Sequence, residues 1–430
     1  MSEVPEKAQV VIIGAGLAGN SLAYHLALKG WTDMVLLDKG PFPNPGGSTG
    51  HASNFIFTVD HSKEMTMLTL DSVEQYQALG VFTQCGGIEV ARTEARMEEF
   101  RRRMASSKAW GIESHLISPE RMKELVPFIN ADILLGGFYT PGVGVVDSLR
   151  AGTLMREKAE AMGALTSIPN TEVLDMGVEN GRISTVHTSR GAIQAKTVVI
   201  TGGVWSPRLA AMAGATIPLT PAVHQMISVG PISLFEKEPG EITYPIVRDM
   251  DPFMYERQNG NDMEVGSYAH RPILMRPDDI PSIEESALSP TELPFTEDDF
   301  DPQLEESLVL MPELLGDEKA GIRHAINGLL SLTPDGMPCV GETEVKGLWS
   351  VAAIWIKEAP GFAKAAAAVM TDGWSEIDIH ASDVSRFYDY GRTVHHVNAR
   401  TSEGFNKTYG IVHPREQWDS NRNVRVSPFY

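Results

Sequence analysis

The most constraining stretch of the chain lies near its start. Gln9 to Ile13 reads QVVII, a short β-branched apolar run, and GAGLAG follows at once. A run of this kind suits a parallel strand buried on both faces. Gly14, Gly16 and Gly19 stand at G-x-G-x-x-G spacing, and Leu22, Leu26 and Leu28 fit an amphipathic helix that ends at Gly30. Met34 to Leu37 is a second apolar run, closed by Asp38. The glycines have mechanical reasons to be there. Gly14 and Gly16 permit a tight turn and let a pyrophosphate approach the helix N-terminus, while Gly19 lets helix and strand pack closely. Asp38, with Lys39 beside it, is placed to hold a ribose hydroxyl. A glycine triplet alone is weak evidence; strand, triplet, helix, strand and terminal acid in order predict a βαβ dinucleotide-binding unit.

Ala8 to Leu28 is also uncharged and long enough to cross a bilayer. Asn20, Ser21, His25 and the glycines interrupt it at a cost in lipid, so the soluble βαβ reading is preferred and no membrane contact is expected. The opening MSEVPEK carries acids where a secretory signal would be basic. Cys85 and Cys339 are too few for a disulfide framework or a thiolate zinc site, which suits a reducing cytoplasm. His395 and His396 are adjacent rather than four apart and no HExxH occurs, so no metal site is expected. With 36 basic and 56 acidic residues the net charge is −20, which disfavours nucleic-acid binding. Fourteen of those acids fall between Pro277 and Glu318, where there is no Lys or Arg. A solvated helix and loop is the plain reading of that segment, and docking of a basic partner the alternative.

The nucleotide can be NAD or FAD. Pro41 to Thr49 (PFPNPGGST) breaks the doubly wound pattern, and a helical stretch from about Ser62 to Ala78 follows. Sheet-like runs recur at Gly87 to Ala91, Gly137 to Tyr139, Arg182 to His187 and Ala192 to Ile200, the last leading into Thr201, Gly202, Gly203 and Trp205. A final unit joins a strand from Leu348 to Ile354 to a helix opening at Gly361. Glycine-broken strand ends at three distant places predict a discontinuous domain around one elongated cofactor, which suits FAD better than a nicotinamide. The expected fold is α/β. A discontinuous Rossmann-like FAD-binding domain comprises 1–89, 142–218 and 331–382. A second, mainly antiparallel β-sheet substrate domain comprises 90–141 and 219–330, and 383–430 form a C-terminal extension.

From GSTGHASNF (Gly47 to Phe55) the chain resembles the dimethylglycine oxidase, dimethylglycine dehydrogenase and sarcosine dehydrogenase family, flavoenzymes of the D-amino-acid-oxidase type. The likeness continues through GGFYTPGVGVVD (Gly136 to Asp147), TGGVWS (Thr201 to Ser206), PAVHQ around His224, PIVRD (Pro245 to Asp249) and VGSYAHRP (Val265 to Pro272). It includes NGLLSLTPDGMPCVGE (Asn327 to Glu342) and the C-terminal YGIVHPREQ and RNVRVSP, and so spans nearly the whole chain. The resemblance implies oxidation of an N-methyl amine by hydride transfer to flavin N5. It implies His51 joined covalently to FAD, and His224 and Tyr255 lining the active site. Ser48 and Thr49 form part of a formal G-x-S-x-G, but Pro43 and Pro45 precede it where a nucleophile elbow needs a strand. Both hydroxyls are therefore assigned to the cofactor.

Trp355, Lys357 and the helix at Gly361 are expected beside the flavin, Lys357 and the helix dipole balancing charge on its reduced form. Arg248 and Arg257 are candidates for clamping a substrate carboxylate bidentately, with Tyr268 nearby. Two departures qualify the resemblance. Lys357 and Glu358 stand where relatives carry smaller or neutral residues, which leaves the amine undefined. In relatives the RVSP segment leads into a folate-binding half, whereas this sequence stops at Tyr430. Either the chain is a flavin half cut away from its partner or folate handling belongs to another subunit, so tetrahydrofolate is expected only through a partner, with oxygen or an electron-transfer protein as oxidant. A flavin oxidase of unmethylated amino acids and a non-catalytic flavin subunit are the alternatives.

Overall fold

The computed structural model describes residues 4–238 and 240–411. Its first sheet has eight strands, in the order Val173–Glu179, Arg182–Thr188, Gly191–Ile200, Lys7–Ile13, Met34–Leu37 and Leu165–Ile168. Leu348–Ala352 pairs in parallel with Gly191–Ile200, and Cys339–Glu342 lies antiparallel against it. Lys7–Ile13 sits between two parallel neighbours, Val11 opposite Val198 and Val35. Its side chains alternate: Val10 and Ile12 pack with Leu22, Leu26 and Phe362, whereas Val11 and Ile13 pack on the other side with Ile200 and Ile217. From Val10 to Ile13 the run is apolar because neither face meets water, whereas Lys7 and Gln9 before it are exposed.

The second sheet has nine strands, in the order Glu292–Leu293, Gly321–Leu332, Thr220–Gly230, Asp262–Ser267, Met254–Asn259, Ile246–Asp249, Gly87–Ala91, Gly136–Thr140 and His115–Ile117. All its pairings are antiparallel except that of Ile246–Asp249 with Gly87–Ala91. The expected α/β fold, with a Rossmann-like cofactor sheet whose central strands run parallel and a mainly antiparallel second sheet, is the one observed. The boundary expected at residue 89 cuts through Gly87–Ala91, which pairs over its whole length in the second sheet.

The last strand of the first sheet ends at Ala352, two residues before the expected Ile354, because Ala353 takes φ +56° and turns the chain into a loop. The following helix starts at Ala359 rather than Gly361. Acids of the 277–318 segment find cations outside it: Asp299 with Arg271, Asp278 with Arg208 and Arg276, and Glu306 with Arg92. Among the described residues no helix is long and apolar enough to cross a membrane, and no metal-binding cluster occurs. Of the C-terminal extension, residues 412–430, with the RVSP segment, lie outside the described residues.

Candidate functional site

One cavity brings together the turns that the sequence keeps far apart. Gly14, Gly16, Asp38, Lys39, Ser48, Thr49, His51, Thr201, Gly202, Gly203, Trp205, Trp355 and Lys357 line it, with His224, Arg248, Tyr255 and Tyr268. Gly14 takes φ +112°, and a Cβ there would stand 2.5 Å from the Thr201 carbonyl oxygen. Thr201 Oγ1 donates to the Gly14 oxygen at 2.7 Å, so the two turns are tied to each other. Gly19 is outside the cavity and serves packing alone: a Cβ there would fall 1.9 Å from the Gly14 oxygen. Asp38 Oδ2 accepts from Ala15 N–H at 2.7 Å and Oδ1 from Gly40 N–H at 2.9 Å. Burial raises its pKa, and those two backbone donors oppose the rise. Lys39 Nζ sits 3.9 Å above the Trp205 ring.

The loop at 47–55 is held from two sides. Ser48 Oγ donates to Leu329 O at 2.6 Å, and Thr49 Oγ1 accepts from Leu17 N–H at 3.2 Å. Both hydroxyls anchor the loop to backbone; the Ser48 proton is spent there, whereas Thr49 only accepts and keeps its own proton to donate. His51 packs against Gly328, where a Cβ would stand 2.8 Å from ring atoms Cε1 and Nδ1. Its Nε2 is buried with no hydrogen-bond partner. Burial lowers its pKa, so the ring is neutral and its nitrogen lone pair is available.

His224 and Tyr255 stack with ring centroids 5.6 Å apart and planes 6° from parallel, and Tyr268 lies 4.6 Å from His224. Burial pulls His224 down to about 3, with His270 and His51 adding to the effect. Burial drives the Tyr255 phenol well above its ordinary value. Neither group carries charge near neutral pH. The Tyr255 hydroxyl is tied by a short hydrogen bond to Ser53 Oγ. Ser53 stands in the GSTGHASNF motif, but nothing in the sequence alone marked it as the partner of a tyrosine 202 residues away.

Three expectations need correction. Arg257 does not line the cavity: buried further along its strand, it pairs with Glu264 at 3.0 Å and Glu241 at 3.3 Å. Its charge is needed there, because the buried Glu264 would otherwise lack a partner. Gly361 also lies outside the cavity; its N–H donates to Ser72 Oγ at 2.9 Å, and a Cβ would meet Leu68 O at 2.2 Å. It is a contact point between two helices. Lys357 does line the cavity, but Asp60 pairs with its ammonium closely and Glu358 Oε2 lies 4.0 Å away, so it brings little net positive charge. Arg248 also lines the cavity, with its guanidinium 3.9 Å from the Phe57 ring centroid and Nη1 3.5 Å from Glu89.

These residues fit a flavin dinucleotide. The glycine turns leave the room that a Cβ would fill, the acid ends the second strand, and a buried histidine nitrogen without a partner lines the same cavity. Residues 9–369 match the family model described as FAD dependent oxidoreductase, and 372–427 match FAD dependent oxidoreductase central domain. Human mitochondrial sarcosine dehydrogenase is 30% identical over 447 residues, covering 99% of this chain and 46% of that protein. Human mitochondrial dimethylglycine dehydrogenase is 29% identical over 442 residues, covering 99% and 49%. The chain spans about half the length of the curated relatives it matches. Among solved structures, L-proline dehydrogenase from P. horikoshii superposes with a TM-score of 0.77 at 24% identity, over 90% of this chain and 99% of that one. The match takes in both sheets and every turn around the cavity, and the chain belongs to the FAD dependent oxidoreductase family, in the branch of the sarcosine and dimethylglycine dehydrogenases.

Proposed function

We propose that the chain oxidises a small secondary or tertiary N-methyl amine of the sarcosine or dimethylglycine kind, with FAD bound in the cavity and joined through His51. The observation that carries this reading is the unpartnered His51 Nε2 in a cavity also walled by the stacked, uncharged His224–Tyr255 pair. When bound, the flavin supplies a hydride acceptor at N5. Gly14, Gly16, Asp38 and Thr201 to Gly203 hold the dinucleotide, and Lys39 and Trp205 flank it. Removing a hydride from carbon next to nitrogen requires the amine lone pair, so the substrate must sit unprotonated. Burial away from water favours that form, because the uncharged His224 and Tyr255 offer an ammonium ion no counter-charge.

The iminium product leaves the methyl carbon at the oxidation level of formaldehyde. Water releases it as such, or tetrahydrofolate on a partner subunit takes it up, and oxygen or an electron-transfer protein accepts the electrons. Free Cys85 and Cys339 suit a cytoplasmic location.

Anaerobic addition of sarcosine or dimethylglycine to the flavin-loaded chain should bleach the flavin absorbance, and air or a carrier dye should restore it with formaldehyde released. Bleaching by unmethylated amino acids with ammonia as product would indicate an amino-acid oxidase instead. No bleaching with any amine would leave a non-catalytic flavin subunit.

A further inference from the structure

One wall of the cavity comes from the second matched segment, residues 372–427, rather than from residues 9–369: Tyr409, 5% exposed, lines it. Its ring lies 5.0 Å from that of Tyr268 at 61°, and the Arg248 guanidinium carbon is 5.0 Å from its centroid. The segment is held from both sides. Arg96 Nη2 donates to Tyr409 O and to Met250 O, each at 2.7 Å, while Arg96 Nη1 pairs with Glu99 at 2.5 Å. Asn406 Nδ2 donates to Tyr268 O and His270 O, each at 2.9 Å, and Phe405 is fully buried against the rings of Tyr268 and His270.

Arg248 Nε and Tyr409 Oη are both buried, and neither has an acceptor for its proton. Glu89, the acid nearest Arg248, already pairs with Arg103 at 2.8 Å. Two adjacent donors left without acceptors in cavity-lining side chains are costly unless a ligand supplies oxygens. A carboxylate supplies two.

We infer that Tyr409 is a specificity-determining residue contributed by the C-terminal segment: with Arg248 it receives the substrate's carboxylate, and Arg96 and Asn406 act as positioning residues that hold it in place. This rests on the amine-oxidising reading above and adds to it a selection for N-methyl amino acids over N-methyl amines that lack an acid group.

The test uses the full chain with flavin bound. Tyr409→Phe keeps the ring and removes the donor. It should raise KM for sarcosine or dimethylglycine about tenfold, the loss expected for one hydrogen bond to a charged group, with kcat little changed. For N,N-dimethylpropylamine, which has no carboxylate, KM should be the same in variant and wild type. Arg96→Lys, which retains the charge beside Glu99, should shift selectivity the same way and add little in the double variant. Methoxyacetate, in which an ether oxygen replaces the amine, binds without turnover; its perturbation of the flavin spectrum or of tryptophan fluorescence should weaken about tenfold in Tyr409→Phe. An equal KM change for the acid and the carboxylate-free amine, or unchanged methoxyacetate binding, overturns the inference and leaves amine oxidation intact. Absence of flavin reduction by any amine refutes the underlying reading, and the methoxyacetate titration still tests Tyr409 separately.

Discussion

His51 has a half-buried ring, a depressed pKa and a nitrogen without a partner; His224 and His270 share the last two features, but of the three only His51 stands in the GSTGHASNF loop. A structural histidine would spend that nitrogen on a backbone carbonyl, because a buried unpartnered group costs about 1–3 kcal/mol. The proposed attachment to flavin would convert that cost into a bond. His51→Ala should still bind flavin in the native state yet release all of it to the supernatant on acid precipitation, while wild-type precipitate stays yellow. Complete release from the wild type would remove the covalent assignment. The motif around His51 was readable in the sequence, because loop and histidine are contiguous. The fixing of Tyr255 by Ser53 was not, because the hydroxyl that completes it arrives from another sheet.

Where the strands Ile246–Asp249 and Met254–Asn259 meet the helix Glu297–Leu310, acids are buried with too little compensation. Glu256 Oε1 accepts from Ser307 Oγ at 2.8 Å, while its Oε2 has no partner. Burial, reinforced by the charge of Asp249, pushes Glu256 up to about 8. Burial likewise pushes Asp249 to about 7, against the pull of Arg92. Both folded-state values exceed the ordinary ones, so between roughly pH 4 and 8 the native state holds more protons than the unfolded chain. Stability from these groups is therefore greatest at the acid end of that window and declines as pH rises through it. Glu256→Gln removes the ionisation and keeps an oxygen for Ser307. It should change unfolding free energy little at pH 5 and raise it by roughly 1–3 kcal/mol at pH 9. Parallel urea-unfolding results for the two proteins at both values would contradict this.

Across the whole molecule, residues remote in sequence share charge. Lys357, after the last strand of the first sheet, pairs with Asp60, 297 residues earlier. The ammonium holds the Asp60 carboxyl well below its usual range even though burial acts the other way. Lys357→Met should strand that carboxylate and cost about 2–3 kcal/mol. That is less than the roughly 3–5 of a fully buried pair, since the two side chains keep 20% and 25% of their exposure. Adding Asp60→Asn should recover most of the loss. A double variant no more stable than Lys357→Met, by thermal unfolding, would mean that the pair is not the reason. This pairing also explains why a lysine was easy to mistake for a free flavin counter-charge: its neutralising partner is close only after folding.

The amino-acid sequence alone determined the βαβ unit, the α/β class and the meeting of two distant glycine turns, at Gly14 and at Gly202, in one cavity. Those features follow from short-range rules, namely apolar runs buried on both faces, positive φ at Gly14, and an acid closing a strand. Tertiary structure alone decided which polar groups remained unspent. The Ser48 proton was taken by Leu329, Arg257 by two acids, and Gly361 by a neighbouring helix, while Tyr409 entered the cavity from beyond residue 369. A side chain's chemistry is set by its type, but its availability depends on partners that can lie hundreds of residues away, and pattern along the chain does not encode that distance.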